Sequence, residues 1–443
     1  MSGQIGTTTR GTFRRWLAVG GAVLALGCST DEILQVERPD IIDPGAVTGA
    51  LGATALYNGA IGDVAYAQGT FGGLMLAQGL FSDEFRFGGT PPEVRQFDLG
   101  AILRENSFSQ TIWLNLHRGR QAAEKAAVAV ANVSAADGRI AELKGLGALV
   151  TIWIGETYCS GTPFSDYGPP ESYGNPLTSQ QTFDRAIGLI NEGQAIAAAS
   201  ARVKNFLAVL KGRALLNNAQ FAAAATAVAA VPTDFVYEVL FSAADARTQN
   251  TMKAFIYDFD YLSVSDGEGV NGLNFASAGD PRVPVTQDFG PVSRFDGKTP
   301  MYQFPLYNTF GTPIINASGI EARMIQAEAA LQANDINGWL GRLNEARATR
   351  ASLNPLTDPG TAAARVNLMF RERAFWMFAT AHRLGDMRRL ARAPYSRPVT
   401  SVFPTGPYHK DNLTRGNQGS IIVPQTEDNN PNYDKAACDA SKA

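Results

Sequence analysis

Two carboxylate pairs stand out in this chain, Asp83-Glu84 and Asp258/Asp260. Hydrolysing a glycoside takes two carboxylates placed across the scissile bond. Adjacency in sequence does not establish that spacing, and acids in turn-rich segments are ordinarily solvated. Asp266-Gly267-Glu268-Gly269 has the outline of a calcium loop, but its ligand periodicity is incomplete and a turn accounts for it. The three histidines, His117, His382 and His409, lie far apart in sequence and give no metal spacing. His117 and His382 fall in helical stretches, where packing or an ion pair explains them. HExxH, a Walker loop, GxSxG and CxxC are all absent. These residue types point away from an enzyme, and no cofactor or metal is expected.

Ligand capture asks for a different set of side chains. A sugar ring offers an apolar face and a fringe of hydroxyls, which aromatic rings with neighbouring Asn, Asp or Arg can answer. Phe85-Arg86-Phe87 is one such cluster, and Tyr257, Tyr261, Asp266, Asn271 and Asn274 form another. These eight residues are the candidate ligand-binding set. Each ring serves equally well to pack its own loop, and the absence of Trp from both clusters weakens a specifically polysaccharide reading.

Helices must position these loops. Ser107–Ala131 has the pattern of a long helix, and in Glu142–Tyr158 the residues Leu143, Leu146, Val150 and Ile154 fall on one face. Thr182–Ala199 repeats that spacing with Phe183, Ile187 and Ile190. Two later segments resemble each other, Leu207–Val231 and Glu321–Arg347. In both, a helix carrying small residues (Ala214; Ala329) reaches a leucine (Leu216; Leu331), and a short Asn-containing turn begins a second helix. Such pairs are the mark of tetratricopeptide-like repeats, although the Trp-Leu-Gly consensus is missing. Between them Phe235–Asn316 is rich in aromatics, Asp, Gly and Pro without sustained helical period. Loops and short strands are expected there, and an irregular region of that length is usually functional.

The chain has 38 basic and 41 acidic residues, so no net field favours nucleic acid as a partner. Arg10, Arg14 and Arg15 precede an apolar stretch, Trp16–Leu26, that is too short to span a bilayer. Ala25-Leu26-Gly27 then leads directly into Cys28, as in a bacterial lipobox, although a bulkier aliphatic is usual where Ala25 stands. Residues 1–27 are therefore expected to be a lipoprotein signal peptide. Cys28 becomes the lipidated residue, and 28–44, with Pro39 and Pro44, the tether to the membrane. A plain signal peptide is the alternative, and Arg14-Arg15 also admits twin-arginine export. Outside the cytoplasm, Cys159 and Cys438 either form a disulfide or remain two thiols.

Near the C-terminus, LMFRERAFWMFATAHRLGDMRRL resembles the signature helix and turn of the SusD/RagB family at Glu372, Arg373, Phe378, His382, Arg383, Asp386, Arg388 and Arg389. Thr380-Ala381 stands where the family has Glu-Gly. Further matches follow the family order: Glu37-Arg38-Pro39 with Ile42 and Pro44, Ser82-Asp83-Glu84, Glu156–Ser165, and Ile422-Val423-Pro424 with Glu427, Asn430 and Pro431. Phe370, Phe375, Trp376 and Phe378 give the signature segment an apolar surface, and Glu372 is expected to form a buried ion pair with Arg383 or Arg388.

The resemblance implies a mainly α protein: a tetratricopeptide-like superhelix over 45–443 with a loop-rich ligand-binding region near 235–316. It implies a surface-facing outer-membrane lipoprotein that captures oligosaccharide or other nutrients for a SusC-like, TonB-dependent barrel. A repeat scaffold that binds only proteins is the first alternative. A glycoside hydrolase is the second.

Overall fold

In the computed structural model, residues 49–70, 73–167 and 172–443 are described. The signal segment, Cys28 and the tether lie outside them, and the described residues belong to a unit running from Val47 to Ala443. Helix α1 (Gly49–Gly69) is followed by α2 (Leu74–Phe81), strand β1 (Phe85–Phe87), α3 (Pro92–Leu99), α4 (Ser107–Val133) and α5 (Arg139–Thr157). The short strands β2 (Thr162–Pro163) and β3 (Pro176–Leu177) precede α6 (Ser179–Gln194), α7 (Ala201–Asn217) and α8 (Phe221–Ala227). The irregular region carries β4 (Val236–Val239), β5 (Leu262–Val264) and β6 (Ile314–Ser318). Then come α9 (Gly319–Gln332), α10 (Ile336–Ala348), α11 (Ala362–Trp376), α12 (Arg383–Ala391) and α13 (Val399–Val402). The protein is mainly helical, and among the described residues the strands pair only as two-stranded ribbons: β1 with β5, β2 with β3, and β4 with β6.

Small residues let the helices approach one another. Gly119 of α4 lies against α1, where a Cβ would meet the Asp63 carbonyl at 3.3 Å. In the repeat pairs, a Cβ on Gly212 of α7 would stand 2.5 Å from Val228 and 3.2 Å from Ile325 of α9. Both hairpins turn through one non-glycine residue in the left-handed region, Ala219 and Asn334. Caps set the helix starts. The Thr178 side chain accepts from Gln181 N while Gln181 reaches back to Thr178 N, so α6 begins at Ser179, ahead of its apolar periodicity. Trp113, Trp153 and Trp339 are fully buried in one continuous core.

Buried ion pairs join segments remote in sequence. Arg213 of α7 donates to Glu321 of α9 at 2.6 Å, Arg373 to Asp386 at 2.9 Å and Arg389 to Glu328 at 2.9 Å. Glu372 pairs with neither Arg383 nor Arg388, a correction to the sequence expectation. It accepts from Arg282 at 2.7 Å and Arg347 at 2.9 Å, while Arg383 donates to Asp83 at 2.6 Å. Arg388 donates to the Gly155 carbonyl instead. Helical spacing alone could not reveal this, because Arg282 comes from the irregular region.

The closing segment is stitched down in the same way. Cys159 and Cys438, 279 residues apart, form a disulfide with Cα atoms 5.2 Å apart, beside a parallel bridge of Tyr158 to Ile421. Glu427 accepts from Ser165, Asn430 and the Tyr167 hydroxyl. Among the described residues no helix is long and apolar enough to cross a membrane.

Candidate functional site

Asp260 builds a ring-rich part of the surface. Its backbone is left-handed at φ 55°, which reverses the chain after a single π-helical turn, Ala254–Asp258. The buried carboxylate holds that reversal by accepting from Arg294 N at 2.7 Å and Gln303 Nε2 at 3.3 Å, and the Asp260 carbonyl accepts from Ser293 Oγ at 2.9 Å. Tyr261 N donates to Phe255 O, and Gly88 N donates to Tyr261 O at 2.7 Å. Three separate loops are thereby fixed side by side.

Their rings face one another at the surface. Tyr261 packs edge-on to Phe295 with centroids 4.6 Å apart and lies 5.3 Å from Phe259, inclined by 32°. Phe295 is 50% exposed and Phe259 47%, so two large apolar rings flank Tyr261 in contact with solvent. Tyr257 meets Phe289 edge-on at 6.0 Å, and the Arg294 guanidinium lies 4.0 Å over Phe289. Burial, then the nearby Asp288 charge, raises the Tyr257 hydroxyl pKa, so it stays protonated and able to donate. Asp258 pairs with Lys253 at the edge. Ring faces bordered by a guanidinium, a phenol and a carboxylate can stack on a ligand's apolar face while bonding its hydroxyl or carboxylate fringe.

Of the eight candidate residues, Tyr257 and Tyr261 lie in this cluster. Phe85, Arg86 and Phe87 do not form a presented loop, which corrects that expectation. They are strand β1, hydrogen-bonded to β5 and buried, with Phe85 at 1% and Phe87 at 0% exposure. The Phe85 ring packs edge-on to Phe378, and Arg86 forms an ion pair with buried Glu268. Asp266 accepts from Ser277 N at 2.9 Å and so ties its bend to the turn that follows in the chain. Asn271 staples its loop to the 400–405 segment, donating to Phe403 O at 2.7 Å and accepting from Thr405 N at 3.1 Å. Asn274 is exposed on the same turn. Phe259, Phe289, Arg294 and Phe295 were not singled out in sequence, and only the aromatic density of Phe235–Asn316 pointed to them.

Of the acids that suggested hydrolysis, Asp258 and Asp260 are tied up in building this cluster, and Asp83 and Glu84 are held elsewhere. Asp83 takes Arg383 and Leu273 N, while burial raises the Glu84 pKa to about 8 and its carboxyl accepts from Ala379 N at 2.9 Å. Asp98, Glu268 and His409 converge closely enough to suggest a cation site, but Arg415 already fills it, 3.4 Å from Asp98 and 2.8 Å from Glu268. Burial would raise the Glu268 pKa; the neighbouring His409 ring, 3.8 Å away, and the Arg86 and Arg415 charges hold it at about 2. His117 is a buried ring 4.4 Å from Trp113, kept neutral by burial and then by Arg120, and His382 lies 3.5 Å from Glu321.

No family model matches the chain, and no curated protein matches it by sequence. Solved structures do match. A SusD-like protein from Bacteroides fragilis aligns with TM-score 0.64 over 87% of this chain and 96% of its own, at 14% identity. A SusD superfamily protein from Bacteroides thetaiotaomicron gives 0.63 over 85% and 98%, at 12% identity. A SusD-like carbohydrate-binding protein from Bacteroides vulgatus gives 0.56 over 77% and 83%, at 14% identity. Likeness at such low identity speaks to architecture, and it covers most of the chain: the chain has the SusD-like fold.

Proposed function

We propose that this protein is a lipid-anchored, surface-facing nutrient receptor of the outer membrane. It captures an oligosaccharide or another small nutrient and passes it to a TonB-dependent, SusC-like barrel. The observation that carries the reading is the solvent-open ring cluster of Phe259, Tyr261 and Phe295, built on a SusD-like frame. Its supports are the lipobox at Cys28 and the carbohydrate-binding description of the Bacteroides vulgatus structure. The repeat pairs offer a surface for the barrel: a concavity of about 1120 Å³ between α8, α9 and α10, floored by alanines such as Ala222, Ala329 and Ala330. Repeat arrays commonly bind through such surfaces. Capture makes and breaks no covalent bond, so affinity and release set the rate of delivery.

Membrane fractionation and gentle detergent extraction test the proposal. Wild-type protein is expected in the outer-membrane fraction, co-purifying with a large barrel protein, and Cys28→Ser is expected to leave that fraction. A Cys28→Ser protein that stays as firmly bound, or extraction that repeatedly yields a lone monomer, would refute the anchor or the partner respectively. Glycan and peptide arrays then identify the cargo.

A further inference from the structure

Away from the ring cluster, the ribbon of β4 and β6 faces the end of α11 across a groove that the proposed receptor role does not use. Two hollows of about 320 and 200 Å³ share Ile315, Arg350, Trp376 and Thr380, so they are lobes of one groove. Together they fall in the size range of ordinary small-ligand pockets, about 300–1,000 Å³. The ribbon's outer face supplies Val236, Glu238 and Ile315, with Glu238 paired directly opposite Ile315. Val236 is 42% exposed, Ile315 39% and nearby Leu306 52%, an unusual concentration of open aliphatic surface around one indole.

One donor here lacks an acceptor and two charged side chains lack a counter-charge. The Trp376 indole N–H is shut off from solvent and has no acceptor among the described residues. Arg350 is exposed, with its guanidinium 5.8 Å from the Trp376 ring. One hydrogen bond ties it to the Pro281 carbonyl, and no acid among the described residues lies within ion-pair reach. Glu238 likewise has no cation within that reach among the described residues. By contrast, Arg282, which also lies against Trp376, is saturated by Asp280 and Glu372. The smaller hollow is therefore walled by rings and carries one unpaired positive and one unpaired negative side chain.

We propose that this groove binds a short apolar peptide as a zwitterion. Its side chain lies against Trp376 and Ile315, its carboxylate meets Arg350 and its ammonium meets Glu238. Opposite charges at an apolar hollow match a ligand that carries both charges around an apolar body. A neutral sugar would leave both charges unanswered, and a lipid chain would answer neither.

Calorimetry on the full-length protein with leucyl-phenylalanine tests the proposal, using its N-acetylated and C-amidated forms as controls. Saturable binding is expected, weakened about tenfold by blocking either end, equivalent to ~1.4 kcal/mol. Glu238→Gln should bind free and N-acetylated peptide equally, and Arg350→Gln should bind free and amidated peptide equally. Both replace solvent-accessible side chains, so unchanged thermal melting is the folding control, and Trp376→Phe provides a variant that keeps the ring and loses the donor. Phe295→Ala should leave peptide affinity unchanged, which separates this groove from the ring cluster. No saturable binding at about 1 mM peptide overturns the proposal. So does equal binding of blocked and free peptide, or loss of binding in Phe295→Ala alone.

Discussion

Phe87 and Phe295 are both phenylalanines near Tyr261, yet the structure gives them opposite roles, and replacing each by alanine separates those roles. Phe87 is fully buried and packs 6.0 Å from Tyr261, so truncation leaves a cavity in the core. Such changes cost about 3–5 kcal/mol. Phe295 is half exposed and has one close ring partner, so its loss removes an edge-on aromatic contact worth about 0.5–1.5 kcal/mol. Unfolding entropy is about 2.1 cal/mol/K per residue, or roughly 0.8 kcal/mol/K for a unit the size of Val47–Ala443. Phe87→Ala should therefore lower the melting temperature by about 4–6 °C and Phe295→Ala by less than about 2 °C. Differential scanning calorimetry on the purified variants reads both shifts. Equal shifts, or the larger one for Phe295→Ala, would refute the assignment of Phe87 to the core and Phe295 to the ligand surface.

Once a cargo is identified, Phe259→Ala or Phe295→Ala is expected to weaken its binding by about tenfold to hundredfold, since each ring has about half its area left to bury; unchanged calorimetric affinity in both variants moves the site elsewhere. Glu84 keeps its proton up to about pH 8 in the fold but loses it near its ordinary value of 4.5 when unfolded. The folded state therefore binds the extra proton between those values, and stability falls as pH rises through that window. Urea unfolding from pH 5 to 8 should show a shallower decline for Glu84→Gln than for wild type, and parallel curves would contradict the burial argument. Removing the Cys159–Cys438 bond, by reductant or Cys438→Ser, should cost about 2–5 kcal/mol, because it closes a very long loop in the unfolded chain. Peptide mapping without reductant should recover the two cysteines joined, and two free thiols would remove the basis for that figure.

The helical frame was largely legible because its signal is local. The apolar spacing of Leu143, Leu146, Val150 and Ile154 depends only on the helix that carries it, and α5 runs from Arg139 to Thr157 where Glu142–Tyr158 was expected. The repeat pairs were visible through alanines at helix crossings for the same reason. Phe85-Arg86-Phe87 misled because alternation of ring, charge and ring suits both a binding loop and a strand buried on both faces. What decides is Glu268, 182 residues downstream, which neutralises Arg86 inside the core. No window of local sequence contains that partner. The ring cluster was half legible: Tyr257 and Tyr261 stood close together, whereas Phe289, Arg294 and Phe295 reach them through the hydrogen bonds of Asp260 to a separate loop.

The buried ion pairs explain how a helical frame can hold so irregular a face. A buried pair contributes little net stability once desolvation is counted, but losing one partner strands a charge, so each pair strongly disfavours any other register. Here the pairs link the frame to what it carries. Arg282 of the irregular region is held by Glu372 of α11, Asp83 before β1 by Arg383 of α12, and the two repeat pairs meet through Arg213 and Glu321. The same α11 and α12 that close the core thus also fix where the loops leave it. Residues such as Phe259, Arg294 and Phe295, which make no such bridge to the helices, can change without unfolding the scaffold. Under the proposed receptor role, that separation would let the cargo change while the frame stays: charges inside the frame set its register, and rings on the loops outside it would meet the ligand.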